Sequence, residues 1–483
     1  MLKKDKVINH LYNRMQEFTH EQIQMIHDAS MDILQSTGIK FNESEALEIF
    51  KQHGVKVDGE VVYLKEADIL KALETTPTRF VLQARNPEND VTIGDGNFVF
   101  VPGYGAPFMA TTDGKRREGV MEDYNNFCKL IQTSEYLDVN GFLMIEPSDE
   151  PSGLAHLNML YSNMVLCDKA YLGCPTSRQG AIDTLEMAGI LWEGKENIRN
   201  KPCLLANITT LSPLQFAGEM AASLIEYARL GQPCAIVALI MAGFTGPVTM
   251  AGVLTLQNAE ILAGITLTQL VNPGTPIIYG STSSPIDMKS GVVSIGAPEM
   301  SRFVSATAQM ARFYRVPSRG GGSLTDAQFP DIQAGMESAL MLSAAIQSGV
   351  NYVLHSCGIL GSYLAMSFEK FIVDEELCGM FRKLVRPAEV TGNTISADII
   401  KEVGIGGLYL NHDQTLARCR TEYFLPRIAT RQTYENWAEA GMLRADQRAA
   451  MVVQERLESY KKPDIDPQTE RALRDYVDRQ MNS

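Results

Sequence analysis

His355 is the residue of this chain best placed to do chemistry. It lies in the apolar run 351–360 (NYVLHSCGIL), and it is the only one of the seven histidines that we predict to lie in a strand. An imidazole titrates near neutral pH and acts as a general acid, a general base or a hydrogen-bond partner. The alternative is a structural histidine that only ties the strand to a neighbouring carbonyl group.

Cys357 follows His355 by two residues, so both side chains are expected on one face of the strand. Together with Glu146 they could serve a metal-dependent enzyme. The sequence shows no third ligand at a typical spacing and no HExxH motif. The eight cysteines are scattered without a CxxC pair, which is typical of reduced core thiols. We therefore predict no bound metal.

Aromatic and uncharged polar residues dominate the ends of the predicted strands. In chain order these are Gly103, Tyr104, Gly105, Phe108, Glu146, Cys174, Thr176, Asn207, Thr209, Met241, Phe244, Tyr279, Ser281, Thr282, Ser283, Arg319, Gly320, Gly321, Gly322, Asp326, His355, Ser356 and Cys357. Ring faces attract cations, so some of these aromatic residues could form a cage for a cationic ligand or could simply pack. The glycine run could bring backbone close to a ligand or form a barrel corner.

Eight short apolar runs, each followed by an amphipathic stretch, position these residues. The predicted strands are 97–105, 137–145, 170–176, 202–210, 233–243, 275–284, 316–323 and 351–360. The predicted helices are 121–134, 153–167, 178–192, 213–230, 250–271, 297–314, 331–348 and 367–383. Apolar strands of this kind need cover on both faces, and eight strand–helix units close, so the pattern predicts an α/β fold of the (β/α)8 TIM-barrel type. The active site of such a barrel lies at the carboxyl ends of its strands.

The rest of the chain forms two additions to the barrel. We expect residues 1–96 to form helices and β-hairpins that pack on it, residues 97–383 to form the catalytic barrel, and residues 384–483 to form a helical appendage. The predicted helices of the appendage are 395–404, 413–420, 430–439, 443–460 and 467–480.

Composition and charge narrow the possible functions. The chain has 483 residues and a net charge of −14, which disfavours binding to nucleic acid or to an anionic membrane. No Walker, GxGxxG or GxSxG motif supports a P-loop enzyme, a Rossmann dehydrogenase or an α/β-hydrolase. The first residues lack a signal-peptide core, and the apolar stretch 248–270 carries Gln257, Asn258 and Glu260 at its centre. We expect a cytoplasmic protein in which this stretch is a buried helix.

Several motifs resemble the trimethylamine methyltransferase superfamily. They are VPGYGAPF, GSTSS, RGGGSLTDAQFPDIQAGME, VNYVLHSCGIL and RTEYFLPR, and together they span most of the chain. Within that superfamily, the sequence resembles the group without pyrrolysine. The characterised members of this group demethylate quaternary amines such as glycine betaine and pass the methyl group to a cobalamin-carrying protein. The archaeal trimethylamine enzymes carry pyrrolysine in the barrel. Here only standard residues occur, and the stretch 324–328 is a candidate for that position.

The resemblance implies roles for particular residues. Tyr104, Phe108 and Tyr279 would hold the trimethylammonium group. His355, assigned as the catalytic residue, would recognise the substrate carboxylate together with Arg312 or Arg319 and the backbone near Gly320, Gly321 and Gly322. Tyr423 would line the mouth of the barrel or anchor the tail.

The resemblance also implies partners. The methyl acceptor would be cobalamin (a corrinoid) carried by a cognate protein, so no tightly bound cofactor is expected, and we expect a homo-oligomer. Glycine betaine, proline betaine, carnitine and γ-butyrobetaine are the possible substrates, with glycine betaine preferred. Two alternatives stay open. One is a metal-dependent barrel enzyme, either a zinc-assisted methyltransferase or a hydrolase, built around His355, Cys357 and Glu146. The other is a catalytically silent barrel that binds a betaine.

Overall fold

The computed structural model describes residues 14–111, 113–151 and 153–482 and contains an eight-stranded sheet of parallel neighbours. The strands are Val99–Phe100, Val139–Asn140, Ala170–Leu172, Leu204–Thr209, Cys234–Ala238, Ile277–Ser281, Ser318–Arg319 and Tyr352–Val353. Each lies inside one of the eight predicted runs, and the first strand pairs with the eighth. The (β/α)8 fold is therefore confirmed.

Asp138 joins the first and second barrel strands, which are not paired with each other in the sheet. Its backbone N–H donates to the carbonyl of Phe100 at 2.9 Å, and its carboxylate accepts from the N–H of Phe100 at 2.9 Å. The Asp138 carboxylate also forms an ion pair with Arg382. This carboxylate therefore stands in for a ladder hydrogen bond where the barrel closes.

A helix follows each barrel strand, as predicted. The helices are Met121–Gln132, Ala155–Leu166, Arg178–Leu191, Gly218–Arg229, Met250–Val271, Pro298–Phe313, Ile332–Ser348 and Phe368–Leu384, with a short additional helix Lys195–Ile198. Local sequence fixes several of the boundaries. The Asp331 side chain accepts from the N–H of Ala334 at one helix start, and Gly349 ends that helix with a φ of 73°.

Helix Met250–Val271 is long and apolar enough to cross a membrane, but it belongs to the core. In its most apolar window 78% of the residues are buried inside the protein. Its buried Glu260 accepts from the N–H of Leu214 at 2.9 Å and from Ser212 Oγ at 2.8 Å, so its polar groups are satisfied within the fold. This agrees with the buried helix predicted from the sequence.

The N-terminal residues pack on the outside of the barrel. Helices His20–Ser36, Ser44–Gln52 and Glu66–Thr75 all lie against helix Met250–Val271. A small sheet contains the four short strands Ile39–Phe41, Lys56–Asp58, Val61–Tyr63 and Gln215–Phe216. A hairpin with a 3-10 turn at Pro87–Asn89 contains the strands Arg79–Leu82 and Val91–Gly94. Residues 1–13, where we predict no signal peptide, lie outside the described residues, and the domain boundaries stay a prediction.

The C-terminal residues are helical, as predicted. The helices are Gly392–Ile395, Ala397–Val403, Asp413–Arg418, Tyr434–Glu439, Ala445–Glu458 and Pro467–Met481. The last two pack on barrel helices, Ala445–Glu458 on Phe368–Leu384 and Pro467–Met481 on Ala155–Leu166 and Arg178–Leu191. The segment before them, 386–444, is mostly exposed and buries only Ile428.

Two further small sheets follow the carboxyl ends of the barrel strands. One contains Phe108–Ala110, Arg116–Glu118, Ile359–Leu360 and Ala365–Met366, and the other contains Met241–Ala242, Ser284–Asp287 and Val292–Val293. Because both lie between a strand end and the next helix, they belong to the face of the barrel where the active site is expected.

Candidate active site

Arg319 ends the seventh barrel strand and is almost completely buried, with 2% of its surface exposed. The neighbouring strand makes room for it at Gly280, where a Cβ atom would lie 3.1 Å from Arg319 Cδ and 2.8 Å from Val237 Cγ2. The guanidinium Nη1 donates to the carbonyl of Ser281 at 2.6 Å. Glycine in the GSTSS motif therefore lets the arginine side chain lie across the sixth strand and reach its carboxyl end.

His355 follows the eighth strand in a left-handed conformation, with a φ of 62°, which is uncommon for a residue other than glycine. Its N–H donates to the carbonyl of Pro102 at 3.1 Å, and its carbonyl accepts from the N–H of Ser323 at 2.8 Å. The loops after the first and seventh strands thus hold the His355 backbone from both sides. Such strain persists only where the surroundings enforce it, and it is concentrated at functional sites.

Gly322 permits the close approach of the seventh-strand loop to His355. Its φ is 114°, and a Cβ atom there would lie 2.3 Å from the carbonyl oxygen of Leu354 and 2.4 Å from that of His355. A Cβ atom added at Gly321 would lie 2.5 Å from the Cβ atom of Ala345. One added at Gly320 would lie 3.7 Å from its nearest neighbour. The contacts of the glycine run are thus to strand and helix neighbours, and its second and third glycines allow the loop to hold His355.

A buried ion pair supports the same two loops. Lys370 Nζ lies 2.6 Å from Asp374 Oδ2, 2.9 Å from Ser338 Oγ and 3.3 Å from the carbonyl of Ser323. The Asp374 carboxylate accepts from the N–H of Gly358 at 2.9 Å. Lys370 therefore holds the loop after the seventh strand, and Asp374 holds the loop after the eighth.

The imidazole of His355 faces two hydrogen-bond donors. Its Nδ1 lies 3.2 Å from the backbone N of Tyr104, and its Nε2 lies 3.3 Å from Arg319 Nη2. A neutral imidazole has one donor and one acceptor nitrogen, while an amide N–H and a guanidinium only donate. If Nδ1 accepts from Tyr104, then Nε2 carries the proton and the donors of His355 and Arg319 point into the same space. An acceptor between them would resolve this conflict.

Electrostatics favour an anion at this place. Burial, with the Arg319 charge as a second cause, lowers the pKa of His355 well below its usual range, so the ring is neutral. Burial also lowers the pKa of Arg319 to about 10, which leaves it charged at neutral pH. Among the residues that the structure describes, no carboxylate pairs with Arg319, and its Nε has no hydrogen-bond partner. A buried cation without a counter-ion is costly, so an anionic ligand would stabilise it.

Three tyrosines surround this arginine and histidine. The ring of Tyr363 lies 4.9 Å from that of His355, and Tyr104, Tyr352 and Tyr363 all interact electrostatically with Arg319. The hydroxyls of Tyr352 and Tyr363 are buried and have no hydrogen-bond partner within the described part of the chain. Burial raises the pKa of all three phenols, so they are neutral and present ring faces and hydroxyl groups.

Of the residues selected from the sequence, Tyr104 and His355 come together, with Gly322 behind them, but Tyr279 does not join them. Its ring is fully buried, its hydroxyl donates to Asn258 Oδ1 at 3.1 Å, and it stacks on Tyr314 at 6.2 Å. Tyr279 therefore points outward to the helix layer. Phe108 lies in the four-stranded sheet at the carboxyl ends of the barrel strands. It packs against a small cluster of alanine and leucine side chains that includes Ala327 and Leu360.

Arg312 and Tyr423 lie away from the strand ends. Arg312 is near the carboxyl end of helix Pro298–Phe313, where its guanidinium donates to the carbonyl of Ser348 at the carboxyl end of the next barrel helix. In a barrel this is the face opposite the active site. Tyr423 is exposed in the C-terminal segment, among residues such as Thr394 and Arg418. Of the two arginines that the sequence offered, Arg319 is the one that lies beside His355.

The metal-site hypothesis gains no geometric support. Across residues 14–111, 113–151 and 153–482, no three of the histidine, cysteine, aspartate and glutamate side chains gather in a way that could hold an ion. Glu146 is exposed, whereas Cys357 is buried beside Cys378. His355, Cys357 and Glu146 therefore do not form one site.

Sequence reasoning missed Tyr352 and Tyr363. Tyr352 belongs to the eighth strand, three residues before His355, and its aromatic side chain in a predicted strand was a usable signal. Tyr363 lies in a loop and has a φ of 74°. Nothing in the local sequence indicates that this loop returns to His355.

The fold and the site define an enzyme of the β/α-barrel class with a cluster of buried polar and aromatic side chains at its strand ends. A model of the trimethylamine methyltransferase (MTTB) family matches residues 2–483, so the chain belongs to that family. This confirms both the family resemblance and the methyltransferase class expected from the sequence.

Individual relatives cover nearly the whole chain. It is 45% identical over 459 residues to a glycine betaine methyltransferase of Desulfitobacterium hafniense (strain Y51), covering 95% of this chain and 96% of that protein. It is 34% identical to a proline betaine:corrinoid methyltransferase of Eubacterium limosum, covering 92% and 93%. It is 31% identical to the trimethylamine methyltransferase MttB of Methanosarcina thermophila, covering 88% and 89%.

Among solved structures, the chain is similar to that of the hydroxylamine complex of MtmB. The TM-score is 0.50 with 11% sequence identity, and the match covers 92% of this chain and 88% of that one. This similarity supports the barrel fold.

Proposed function

We propose that this protein is a quaternary amine:corrinoid protein methyltransferase and that glycine betaine is its methyl donor. The observation that carries the proposal is the buried Arg319 guanidinium, which has no carboxylate partner in the described chain and faces His355. The 45% identity to a glycine betaine methyltransferase over nearly the full length supports the same substrate.

The substrate carboxylate lies between Arg319 and His355. With Nδ1 of His355 accepting from the Tyr104 N–H, the proton on Nε2 and the N–H groups of Arg319 donate to one anionic acceptor. This arrangement removes the conflict between the two donors and gives the buried arginine its counter-ion. His355 is then a neutral hydrogen-bond donor that positions the substrate.

The trimethylammonium group lies against the rings of Tyr104, Tyr352 and Tyr363. Aromatic faces bind quaternary ammonium groups by cation–π attraction, which is stronger in a desolvated site. Tyr104 was suggested from the sequence, while Tyr352 and Tyr363 take the place of Phe108 and of Tyr279, which points into the helix layer. Arg319 and His355 expose only 2% and 4% of their surfaces, so a carboxylate bound to them is largely desolvated.

The reaction needs no general acid at the site. Co(I) of the corrinoid attacks one methyl carbon, the C–N bond breaks, and its electron pair stays on nitrogen, so the leaving group is the neutral tertiary amine dimethylglycine. A positioned and desolvated donor satisfies the main demands of such a displacement. A neutral His355 and neutral tyrosines are consistent with this chemistry.

The methyl acceptor is a corrinoid carried by a second protein, and the chain itself holds no resident cofactor. The name of the Eubacterium limosum relative includes a corrinoid as acceptor, which supports this choice. We further propose a cytoplasmic location and no membrane or nucleic-acid partner, in line with the net charge of −14 and the buried position of the most apolar helix.

We also propose that the protein is a homo-oligomer through segment 386–444. This segment buries only Ile428 yet exposes apolar side chains such as Ile400, Ile405 and Leu408. Beside it lies an apolar groove of about 520 Å³ that includes Ile332, Leu377 and Met380. The groove and the exposed apolar side chains beside it would form the contact between the subunits.

The decisive assay follows methylcobalamin absorbance after free cob(I)alamin and one amine are added to the purified protein. We expect methyl transfer from glycine betaine, slower transfer from the longer betaines and none from trimethylamine. Transfer from trimethylamine alone would contradict the proposed substrate. The protein could instead bind glycine betaine and transfer no methyl group, even when a corrinoid protein replaces free cob(I)alamin. That result would support the silent betaine-binding barrel.

A further inference from the structure

The loop that carries Tyr363 has a strained backbone. It joins strands Ile359–Leu360 and Ala365–Met366 after the eighth barrel strand, and Gly361, Ser362 and Tyr363 have φ values of 55°, 55° and 74°. Left-handed backbone is unfavourable for a serine or a tyrosine and persists only where the surrounding structure enforces it. Contacts from outside the loop are therefore needed to hold the tyrosine in place.

The segment that follows the seventh strand supplies these contacts. The carbonyl of Ala327 accepts from the N–H of Gly361 at 2.8 Å. The carbonyl of Thr325 accepts from the N–H of Ser362 at 3.2 Å. Between these two carbonyl groups, the Asp326 carboxylate accepts from Ser362 Oγ at 2.7 Å. The two residues directly before the tyrosine are thus fixed by backbone and side chain.

The Asp326 carboxylate also holds the loop after the sixth strand. Its Oδ1 accepts from the N–H of Ile295 at 2.9 Å, and its Oδ2 accepts from the N–H of Gly296 at 3.0 Å. Glu337 on the next helix fixes Asp326 in turn, because it accepts from the Asp326 N–H at 2.8 Å and from Thr325 Oγ1 at 2.6 Å. Asp326 therefore joins the loops after three consecutive barrel strands.

The side chain of Tyr363 connects this loop to the candidate site. Its ring lies 4.9 Å from that of His355. We propose that Asp326 is a positioning residue that sets the Tyr363 ring for the ammonium group of the substrate. The inference rests on the proposed function, in which Tyr363 contacts that group. Both carboxylate oxygens of Asp326 already accept hydrogen bonds, so its effect comes through the loops that it joins.

The test compares Asp326→Ala, Tyr363→Leu and the double variant in steady-state kinetics with free cob(I)alamin. Each single variant should raise the KM for glycine betaine roughly 3- to 10-fold, because the ring face is displaced in one and removed in the other. The double variant should have the KM of Tyr363→Leu alone, since Asp326 acts through a ring that is already missing. Effects that multiply would overturn the proposal, because they would show that the two residues act independently.

A second variant tests the same link with a smaller change. Ser362→Ala removes only the hydroxyl that donates to Asp326 and leaves the bonds of Asp326 to the sixth-strand loop. It should raise the KM for glycine betaine about twofold or more. A wild-type KM in this variant would refute the link between Asp326 and the tyrosine.

The matched control is Asp331→Ala, which removes the cap of helix Ile332–Ser348 from the same stretch of chain. It should lower the free energy of unfolding and leave the KM for glycine betaine unchanged. An equal rise of the KM in Asp331→Ala and Asp326→Ala would overturn the proposal, because it would show that any loosening of this stretch disturbs the site.

Amide hydrogen exchange gives a readout that does not depend on activity. Peptides that cover residues 359–366 should exchange faster in Asp326→Ala than in the wild type, and Asp331→Ala should leave their rate unchanged. An unchanged rate in Asp326→Ala would overturn the proposal. If the wild type transfers no methyl group from glycine betaine, the proposed function fails, whereas faster exchange in Asp326→Ala would still support its hold on the tyrosine loop.

Discussion

Nη2 of Arg319 lies 3.3 Å from Nε2 of His355, across neighbouring barrel strands and 36 residues apart in the chain. Each group is buried, and each donates a hydrogen bond that the other cannot accept when His355 Nδ1 accepts from Tyr104. This pair is the basis of the proposed carboxylate site, and most of the predictions below test its consequences.

Removal of the Arg319 charge should weaken carboxylate binding. For Arg319→Met we expect kcat/KM for glycine betaine to fall roughly 10- to 100-fold, since a charge-assisted hydrogen bond contributes about 1.5–3 kcal/mol. Arg319→Lys should recover only part of the loss, because an ammonium lacks the planar fork of a guanidinium. Steady-state kinetics with free cob(I)alamin measure both variants.

The control for this prediction is Arg312→Met, an arginine on the opposite face of the barrel, which should leave the KM for glycine betaine unchanged. A second control is the substrate tetramethylammonium, which has no carboxylate and should lose little from Arg319→Met. Equal losses with both substrates would show that Arg319 does not bind the carboxylate.

His355→Gln should reduce turnover of glycine betaine and alter the pH dependence of stability. The folded protein holds the His355 ring neutral, whereas the unfolded chain binds a proton below a pKa of 6.5. Wild-type stability should therefore fall as the pH drops below about 6.5, by up to ~1.4 kcal/mol per pH unit. In the variant this contribution should be missing.

Urea unfolding at pH 8 and pH 5 measures the difference between wild type and His355→Gln. Between pH 8 and pH 5 the free energy of unfolding should fall more for the wild type than for the variant. An identical shift in both proteins would mean that His355 titrates normally in the folded state. Unchanged turnover in the variant would separately remove His355 from the site.

Tyr104→Leu should raise the KM for glycine betaine by a factor that corresponds to about 0.5–2 kcal/mol, because it removes a ring face but keeps an apolar side chain. The matched control is Tyr279→Phe, which removes only the hydroxyl that donates to Asn258. That control should lower the free energy of unfolding by about 1 kcal/mol and leave the KM unchanged. A higher KM in Tyr279→Phe would place Tyr279 back in the ammonium site.

Gly322→Ala should destabilise the protein by about 2 kcal/mol or more and displace His355, because the added Cβ would lie 2.3 Å from the Leu354 carbonyl. Gly320→Ala is the matched control, since its nearest neighbour would be 3.7 Å away. That control should change the free energy of unfolding by less than about 1 kcal/mol. Similar losses in the two variants would contradict the role assigned to the third glycine.

Ile400→Asp/Leu408→Asp should dissociate the proposed oligomer, because both side chains are exposed in segment 386–444. Light scattering after size-exclusion chromatography measures the mass of variant and wild type. Lys401→Asp changes a neighbouring charge without removing an apolar group and should leave the mass unchanged. A monomeric wild type would end the homo-oligomer proposal.

The sequence by itself determined the barrel. Most strands lie in apolar runs and most of them are followed by a long helical stretch, and these patterns depend only on neighbours along the chain, so all eight strands fall inside the predicted runs. It also indicated His355, because a lone histidine at a strand end stands out, and the RGGG run, because glycine marks close approach.

Only the tertiary structure decided which side chains meet. Tyr279 and Arg319 both lie near strand ends, yet the first points to the helix layer and the second into the barrel, since successive residues of a strand face opposite sides and the register sets which face is inside. Tyr363 reaches His355 through a loop of left-handed residues that no local pattern predicts. The pairing of Arg319 with His355 arises because strands seven and eight pair side by side, which brings together residues that are 36 positions apart in the chain.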